Sequence, residues 1–351
     1  MIEKRRSKSI RIGSVEIGGD APVAIQTMTN TSAEDFCSTL EQLKRVEAAR
    51  CDIARLAVPN EASAEVFRVA KENGIRMPLV ADIHFDYRLA IGAIERGVDK
   101  IRINPGNIGD ESRIKIVADA LKAHGVACRV GSNSGSIEKK FEQRYGRSEI
   151  ALAESALEKV AILEKYGFNN IVISAKASSV PLTVKTYQYL SQKTQYPLHL
   201  GVTEAGTLKS GLIKGSAGIG ALLLNGIGDT IRFSLTDKPE EEVLAGVKLL
   251  RALGLGKEGV EIISCPTCGR TEYDSISLAN RVEMMTASIK KPLKIAVMGC
   301  VVNGPGEAKD CDIGIAGNGK NCVIFKKGEV YLNTSVADAE KVFLEEINKL
   351  I

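Results

Sequence analysis

The sequence predicts the α/β fold class, with a (β/α)₈ TIM barrel followed by a small α+β domain. Between Val23 and about Leu250, a short apolar run followed by a helix-like segment recurs eight times. Eight such units in roughly 230 residues are typical of a closed parallel barrel. A glycine-rich stretch then leads into a region where strand-like runs dominate. An open doubly wound sheet is the alternative for the first region.

Eight short apolar runs are interpreted as the barrel strands. Between them lie segments such as EDFCSTLEQLKRVEAA and ESALEKVAILEKYG, whose apolar residues recur at helical spacing. The longest polar insertion, residues 138–148, is interpreted as a lid or a solvated loop. The glycines between Gly215 and Gly220 are interpreted as allowing close helix packing. The predicted strands begin at Val23, Asp52, Pro78, Lys100, Ala127, Asn170, Pro197 and Asp229.

The domain boundary is predicted at the glycine-rich stretch. Residues 1–253 are assigned to a barrel that binds the substrate, 254–259 to a linker and 260–351 to the α+β domain. The linker spells G-x-G-x-x-G, but it follows a helix and precedes a strand, the reverse of the dinucleotide-binding context. The last domain contains the strand runs VEIIS, LKIAVMG and CVIFKKGEVYLN and the helix candidates SISLANRVEMMTASI and ADAEKVFLEEINKL.

The composition indicates a folded protein of two domains. The 351 residues exceed the usual size of one core, and 44% of them are hydrophobic. The net charge of +4, without basic blocks, argues weakly for anionic ligands and does not indicate nucleic-acid binding. The basic start lacks an apolar core and no apolar run approaches bilayer length, which predicts a cytoplasmic protein. Eight cysteines in a reducing compartment favour metal ligation or free thiols over disulfides.

Polar residues follow the predicted strands at their ends, where barrels of this class place their sites. Four arginines and a lysine from five strands would converge there, and so many partly buried cations need an anion such as phosphate or diphosphate. Singly, each has a simpler role as a salt-bridged rim residue or a helix cap, and His84 fits a structural role equally well. The predicted residues are Arg55, Asp82, His84, Arg102, Asn104, Arg129, Asn133, Lys176, Glu204, Arg232 and Ser234.

Three cysteines and a glutamate form the second candidate site. Cys265 and Cys268 follow the strand run VEIIS, Cys300 ends the run KIAVMGC, and Glu307 stands seven positions later. Three thiolates and one displaceable oxygen ligand suit a catalytic iron–sulfur cluster. A structural zinc site is the alternative, with Cys311 as a fourth thiolate. The histidines show no ligand spacing, and the remaining cysteines are interpreted as small buried residues.

Nine motifs follow one another along nearly the whole chain: ARLAVP, ADIHFD, RINPGNIG, RVGSNSGS, SAKAS, GVTEAG and IRFSLT in the barrel, then SCPTCGRT and MGCVVNGPGEA. In this set and order the chain resembles the 4-hydroxy-3-methylbut-2-enyl diphosphate synthase family of the methylerythritol phosphate pathway of isoprenoid synthesis. The length is similar to that of the two-domain bacterial form.

The resemblance implies a reductive reaction on a cyclic diphosphate. Two electrons open the ring of 2-C-methyl-D-erythritol 2,4-cyclodiphosphate, and water is lost to give the allylic diphosphate. It implies flavodoxin or ferredoxin as the electron donor and a homodimer that shares each site between its chains. It also implies a [4Fe–4S] cluster on Cys265, Cys268, Cys300 and Glu307, Glu204 as acid/base carboxylate, and diphosphate contacts at Arg55, Arg102, Arg129, Asn133, Lys176, Arg232 and Ser234.

Several alternatives stay open. One is a non-redox barrel enzyme of the pterin-synthase type with a structural zinc domain, and another is a zinc module that binds RNA. The proton donor is either Glu204 with a raised pKa or, through Lewis acidity, the cluster iron. The linker 254–259 spans at most about 20 Å, less than the width of a barrel, which favours a twofold dimer in which each α+β domain caps the partner's barrel.

Overall fold

The computed structural model of the chain describes residues 2–108, 111–256, 259–287, 289–302, 306 and 308–351. The chain divides into two units, Met1–Gly256 and Lys257–Ile351. Gly254 and Gly256 adopt left-handed φ angles of +67° and +100° at the junction, a conformation that glycine adopts without strain.

The first unit begins with an antiparallel hairpin that the sequence analysis did not predict. Its strands are β1 (Ile10–Ile12) and β2 (Val15–Ile17), and they turn at Gly13 with a φ of +54°. A β-carbon on Gly13 would lie 2.8 Å from Asp99 Oδ1 and 3.2 Å from Pro78 Cγ. Because both residues precede barrel strands, the hairpin packs against the amino-terminal end of the barrel.

Eight parallel strands form the barrel. Their order is β8-β7-β6-β5-β4-β3-β10-β9, and a parallel bridge between Ile173 and Leu198 joins the two ends. This confirms the (β/α)₈ prediction and excludes the open doubly wound sheet. The strands are β3 (Ala24–Met28), β4 (Ile53–Ala57), β5 (Leu79–Asp82), β6 (Lys100–Ile103), β7 (Ala127–Asn133), β8 (Ile171–Lys176), β9 (His199–Leu200) and β10 (Thr230–Ile231).

Helices follow the strands, and side-chain caps fix where several of them begin. Asp35, Ser148 and Ser179 each accept a backbone N–H of the first helical turn, and Asn60 forms a capping box with Ser63. The caps at Asp35, Asn60 and Ser179 each end a strand-to-helix loop, whereas Ser148 ends the turn between two consecutive helices. The helices are α1 (Phe36–Ala48), α2 (Glu61–Glu72), α3 (Tyr87–Glu95), α4 (Pro105–Ile108), α5 (Glu111–His124), α6 (Lys139–Tyr145), α7 (Glu149–Lys165), α8 (Val180–Lys193), α9 (Leu208–Leu224) and α10 (Pro239–Ala252).

The polar insertion at residues 138–148 is a short helix, α6, anchored to α7. The Glu138 carboxylate lies 2.8 Å from the buried Lys159 ammonium. Lys159 also donates to Ser132 Oγ at the end of β7 and to Ser155 Oγ on α7. The ion pair therefore fixes the start of this insertion beside the carboxyl end of the barrel.

The described part of the second unit contains a five-stranded sheet and helices that follow its strands. The strands β11 (Val260–Ser264), β12 (Leu293–Met298) and β13 (Ile313–Asn318) are parallel. The strands β14 (Asn321–Lys326) and β15 (Glu329–Ser335) continue the sheet in antiparallel order. The helices α11 (Ser275–Thr286) and α12 (Val336–Asn348) follow β11 and β15.

Helices cover one face of this sheet. Val282 and Phe343 on the helices pack with Ile295 and Ile315 on the strands in one buried cluster, while Met298 and its neighbours on the other face form a separate cluster. The predicted run CVIFKKGEVYLN is a hairpin, because Lys327 and Gly328 turn the chain with φ angles of +49° and +82°. The small α+β domain is confirmed. Across the described residues, no helix is long and apolar enough to span a bilayer.

The glycines of α9 give a matched pair of substitutions. A β-carbon on Gly215 would lie 2.6 Å from the ring of Phe233, whereas one on Gly220 would meet its nearest neighbour, Leu249, at 3.7 Å. We expect Gly215→Ala to lower the free energy of unfolding by about 1–3 kcal/mol through overpacking. Gly220→Ala should raise it by up to about 1 kcal/mol through helix propensity. Urea unfolding measures both, and equal effects of the two substitutions would contradict this account of the glycines.

Candidate functional site

The interior of the barrel is polar where barrels of this class are usually apolar. On the neighbouring parallel strands β5, β6 and β7, Asp82 is in register with Arg102, and Arg102 with Arg129. In-register residues of parallel strands point to the same face of the sheet. The sequence prediction that these side chains converge at the carboxyl ends of the strands is therefore consistent with the strand register.

Asp82 is the acidic centre of this group. Its carboxylate lies 3.4 Å from Arg102 Nη1 and 3.5 Å from His84 Nε2. Burial alone would raise the pKa of Asp82, but Arg55, His84 and Arg102 act in the opposite direction and hold the pKa well below its ordinary value. Asp82 is therefore ionised, and its charge is shared by several cations.

Arg55 lies on β4 and Arg232 directly follows β10, and β3 lies between these two strands in the sheet. Burial lowers the pKa of Arg55 to about 10, although Asp82 opposes the shift, and its guanidinium donates to Met28 Sδ at 2.8 and 3.1 Å. Arg232 forms a two-pronged pair with the buried Glu242 of α10, with both N···O distances 3.1 Å. Glu242 also accepts from Thr27 Oγ1 and the Leu235 N–H. Its charge is thus committed to fixing Arg232.

Within the described residues, neither Lys176 nor Arg129 forms an ion pair with a carboxylate, and the carboxylate that acts on Arg129, Asp82, already pairs with Arg102. The charges that act most strongly on Lys176 are all arginines, and burial together with them holds the pKa of Lys176 well below its ordinary value. Arg129 is 2% exposed and donates to Ser174 Oγ at 3.0 Å. Within the described ranges, Nε and Nη2 of Arg129 have no hydrogen-bond partner, and neither has Nε of Arg102. These buried donors are available to a ligand.

Two glycines leave room for these cations. A β-carbon on Gly201 would lie 3.0 Å from Lys176 Nζ and 2.7 Å from the Arg232 carbonyl oxygen. A β-carbon on Gly131 would lie 3.0 Å from Ser174 Oγ and 3.4 Å from Arg102 Nε. Any larger residue would displace the cations that line the barrel.

Positive charge therefore exceeds negative charge in the described barrel interior. Six basic side chains compare with two carboxylates, Asp82 and Glu242, both already hydrogen-bonded. Buried charge without a counter-charge is strongly unfavourable, and arginine forks recognise phosphate oxygens with two parallel hydrogen bonds. The arrangement can bind a polyanion. The basic side chains are Arg55, Lys100, Arg102, Arg129, Lys176 and Arg232.

The structure places four other predicted residues at the rim of the barrel. Asn104 is buried and donates to Asn107 Oδ1 at 3.3 Å. Asn133 ends β7 in register with Lys176. Glu204 is exposed in the turn after β9, with a left-handed φ of +52° that is uncommon for a residue with a side chain. Ser234 is partly buried three residues after the end of β10.

Six buried polar residues in or beside the described barrel interior were not predicted. Lys100 and Gln26 bond across the barrel, His199 Nδ1 lies 2.7 Å from Thr230 Oγ1, and Ser174 and Glu242 hold two of the arginines. The signal was present in β6, where the alternation K-I-R-I places the charged residues on one face of the strand. Because Ile101 and Ile103 on the other face of β6 belong to the apolar core under the surrounding helices, the charged face must point inward.

Two of the candidate thiols follow neighbouring parallel strands in the second unit. Cys265 comes directly after β11, Cys300 comes two residues after β12, and Ser264 is in register with Val297. The Gly299 N–H donates to Cys265 Sγ at 3.0 Å. Backbone N–H groups that donate to a cysteine sulfur are one of the features that tune iron–sulfur centres. The register therefore brings Cys265 and Cys300 to one edge of the sheet.

Cys268 is exposed in the loop that follows Cys265. This loop is tied to the turn that carries Cys300, because the Glu272 N–H donates to the Gly299 carbonyl and the Tyr273 hydroxyl to the Met298 carbonyl. A β-carbon on Gly299 would lie 2.9 Å from Thr271 Oγ1, so the two segments approach closely. The loop and the turn therefore hold all three thiols near the same edge.

Cys311, the fourth thiol of the zinc alternative, lies at the other end of the sheet. It precedes β13, and the adjacent Asp312 N–H bonds to the Lys294 carbonyl at the start of β12. From Lys294 to Met298 a strand extends about 13 Å. Burial raises the pKa of the Cys311 thiol, which disfavours the thiolate that a metal requires. Cys311 is therefore not placed to complete a site with Cys265 and Cys300.

Glu307 lies outside the described residues. Within the described part of the second unit, no three cysteine, histidine or acidic side chains are gathered closely enough to enclose a metal ion. The three thiols are free and are exposed or half-buried. This donor set, with three accessible sulfurs at one strand edge and a backbone N–H directed at one of them, fits an iron–sulfur cluster.

Comparison with known proteins gives consistent matches over both units. Residues 7–247 match the model of the GcpE TIM-barrel domain and residues 261–349 that of the GcpE protein C-terminal domain. The chain is 57% identical to a 4-hydroxy-3-methylbut-2-en-1-yl diphosphate synthase (flavodoxin) of Caldanaerobacter subterraneus subsp. tengcongensis, covering 100% of this chain and 99% of the relative. It is 52% identical to the synthase of the same name from Desulfotalea psychrophila, covering 100% and 97%.

A solved structure resembles the barrel alone. Dihydropteroate synthase from Xanthomonas albilineans superposes with a TM-score of 0.51 at 14% identity, covering 71% of this chain and 98% of that one. Identity at this level shows a shared fold alone.

Asp82 provides a test of the charge arrangement. We expect Asp82→Asn to lower the free energy of unfolding at pH 7 by about 3–5 kcal/mol, because it leaves buried arginines without their carboxylate. Since the pKa of Asp82 is lowered on folding, its contribution is present above the ordinary carboxyl pKa and is lost as the pH falls below it. The gap between the two proteins should therefore shrink at acidic pH.

The matched control for this prediction is Asp119→Asn. Asp119 is half-exposed and pairs with Lys115 and Lys122 on the surface of α5. We expect Asp119→Asn to lower the free energy of unfolding by less than about 1 kcal/mol. Urea unfolding at several pH values measures both variants. Similar small losses at pH 7 would contradict the central role of Asp82.

Proposed function

The chain belongs to the GcpE family, and we propose that it carries out the reaction of that family at the two sites described above. The reaction is the two-electron opening and dehydration of 2-C-methyl-D-erythritol 2,4-cyclodiphosphate to 4-hydroxy-3-methylbut-2-enyl diphosphate. Because the chain belongs to this family, we no longer favour the two alternative interpretations, a non-redox barrel enzyme and an RNA-binding module. The observation that supports the proposal most strongly is the excess of buried cations in the barrel.

The cations of the barrel are proposed to bind the cyclic diphosphate. The free N–H groups of Arg129 and Arg102 suit phosphoryl oxygens, and Lys176 supplies a further positive charge near them. Opening of the ring leaves new negative charge on a diphosphate oxygen. In a buried site fixed cations stabilise that charge far more than they would in water. The proposed contacts are Arg55, Asp82, His84, Arg102, Asn104, Arg129, Asn133, Lys176, Arg232 and Ser234.

The proton is assigned to a carboxylate at the rim of the barrel. Loss of the hydroxyl as water requires a proton donor, because hydroxide is a poor leaving group. Glu204 is proposed for this role, since its turn follows β9 at the carboxyl end of the barrel and its backbone is held in an uncommon conformation. Glu307 is proposed as a carboxylate that would hold the cluster as its one oxygen ligand.

A [4Fe–4S] cluster is proposed on Cys265, Cys268, Cys300 and Glu307. When bound, it would supply electrons one at a time and offer one iron with an exchangeable ligand. The chain contributes the three thiolates at one strand edge and the Gly299 N–H that donates to Cys265 Sγ. The remaining cysteines of the second unit are excluded from the ligand set, because Cys311 lies at the far end of the sheet and burial raises the pKa of Cys322 to about 11.

Flavodoxin or ferredoxin is proposed as the electron donor, and the two relatives above have flavodoxin in their names. A cytoplasmic location is proposed, because iron–sulfur clusters and their cysteine thiolates need a reducing compartment. A homodimer is proposed from the short linker, with each α+β domain completing the barrel of the partner chain.

An anaerobic assay tests the proposed function directly. The purified, reconstituted protein should contain about four iron atoms per chain. With reduced flavodoxin and the cyclodiphosphate, it should form the allylic diphosphate. Iron content near this value without turnover would contradict the substrate, and zinc in place of iron would contradict the cluster.

The ligand set gives a matched pair of cysteine variants. Cys300→Ser should lose most of its iron, its absorbance near 400 nm and its turnover, because a site with three thiolates depends on each of them. Cys311→Ser lies in the same domain but should keep its iron. Iron analysis and absorbance spectra of both variants measure this. Retention of iron by Cys300→Ser, or its loss from Cys311→Ser alone, would contradict the assignment.

Mixed dimers test whether the site is shared between chains. Glu204→Gln and Cys300→Ser should each be inactive, since one changes the barrel and the other the cluster domain. If the site combines both chains, one of the two sites in a mixed dimer is intact, so mixing should restore up to about half of the native activity per mixed dimer. Mass spectrometry confirms subunit exchange. No recovery in exchanged dimers would mean that each chain completes its own site.

A further inference from the structure

Lys100 lies inside the barrel below the proposed anion site. It is fully buried, and its Nζ donates to Gln26 Oε1 at 3.1 Å. Gln26 belongs to β3 and Lys100 to β6, which are separated in the sheet by two strands, so the side chain crosses the interior. Arg102, two residues further along β6, is in register with Asp82. Lys100 therefore lies one inward-facing level deeper than the Asp82 carboxylate.

The hydrogen bonding around Lys100 does not suit an ammonium group. An ammonium has three N–H donors and needs acceptors for them when buried, but the described residues give Lys100 one neutral acceptor. The side-chain Nε2 of Gln26, a further donor, has no hydrogen-bond partner within the described ranges. The described surroundings of Lys100 thus supply fewer acceptors than an ammonium group needs, before any ligand is considered.

The charges that face Lys100 are also of the wrong sign. Arg55 of β4 and Arg129 of β7 are both cations, and burial together with them holds the pKa of Lys100 well below its ordinary value. Burial raises the pKa of the Cys128 thiol to about 12, so it supplies no counter-charge at neutral pH. Burial, Lys176 and Arg129 likewise hold the pKa of His199 well below its ordinary value.

We propose that Lys100 is an uncharged amine in the ligand-free protein and takes up a proton when an anion fills the barrel mouth. Ligand binding then draws a proton from solvent into the barrel. The added negative charge favours the protonated amine, and by linkage the proton strengthens anion binding. Lys100 is thus a positioning residue. It lies beneath the bound anion, and its charge changes to balance the negative charge of that anion. Only the identity of the natural anion rests on the proposed function.

The stability of the ligand-free protein carries the first signature. Between the lowered pKa of folded Lys100 and the ordinary lysine pKa, the unfolded chain binds more protons, so stability rises with pH. Lys100→Met removes this penalty and should raise the melting temperature at pH 7, with a gain that shrinks toward about pH 10. Lys100→Arg keeps a positive charge at this position and should lower the melting temperature. Lys122→Met, at a surface lysine paired with Asp119, should change little.

Calorimetric titration gives the direct test. Sulfate and the cyclodiphosphate neither gain nor lose protons near neutral pH. When the heat of binding is measured in buffers of different ionisation enthalpy, the differences therefore report the protons that the protein takes up. At pH 8 the native protein should take up about one proton more per bound anion than Lys100→Met. Lys122→Met should match the native protein.

Two results would overturn this inference. One is equal proton uptake by the native protein and Lys100→Met. The other is a melting temperature of Lys100→Met at pH 7 below that of the native protein, or its failure to fold, while Lys122→Met is normal. Proton uptake with sulfate but no turnover of the cyclodiphosphate would instead contradict the proposed function and leave the role of Lys100 standing.

Discussion

Buried positive charge inside the barrel is the constraint on which the first unit depends. Cations that enter from β4, β6, β7 and β8 would repel one another at close range without a counter-charge. Asp82 offsets part of this repulsion, and Glu242 on α10 is committed to Arg232. The remainder is left for a ligand. Glycines at positions 131 and 201 provide the space, and the closed parallel sheet holds the cations in fixed positions.

The second unit differs, because it keeps its candidate sulfur ligands exposed or half-buried. Its parallel strands β11 and β12 end at the same edge, so Cys265 and the turn of Cys300 emerge side by side. Hydrogen bonds from Glu272 and Tyr273 tie the loop of Cys268 to that turn. Cys265 is half-buried and packs against the apolar cluster that contains Met298. The fold of the domain therefore positions the thiols at the ends of its strands.

Sequence reasoning recovered the barrel because each of its strands is an apolar run followed by a helical period. It failed where glycine interrupts that pattern. The strand β13 reads I-G-I-A-G-N, and its glycines suggest a turn, yet a β-carbon on Gly317 would lie 2.7 Å from the Gly299 carbonyl oxygen. These glycines serve close packing within a strand. The hairpin β1–β2 was missed because its strands have three residues each.

The candidate site was predicted in part for a similar reason. Arginines at strand ends were found because barrels place their sites there, and the register of β5, β6 and β7 places three of the predicted residues together. Lys100, Gln26 and His199 lie deeper, where the rule for barrels predicts apolar residues. Glu242 reaches the site from a helix, and no strand-based rule would have identified it. Contacts across the interior depend on barrel closure, which the sequence does not display.

The central claim is that the excess buried charge of the barrel is matched by a diphosphate. A crystal structure of the anaerobic protein with the bound cyclodiphosphate tests this most directly. The account predicts that phosphoryl oxygens lie within hydrogen-bond distance of Arg129 Nη2 and Arg102 Nε, which have no hydrogen-bond partner within the described residues, and of Lys176 Nζ, on which arginines are the charges that act most strongly. A diphosphate bound elsewhere, for example in the surface cleft lined by Phe85, Asp86 and Arg88, with these donors unchanged, would contradict it.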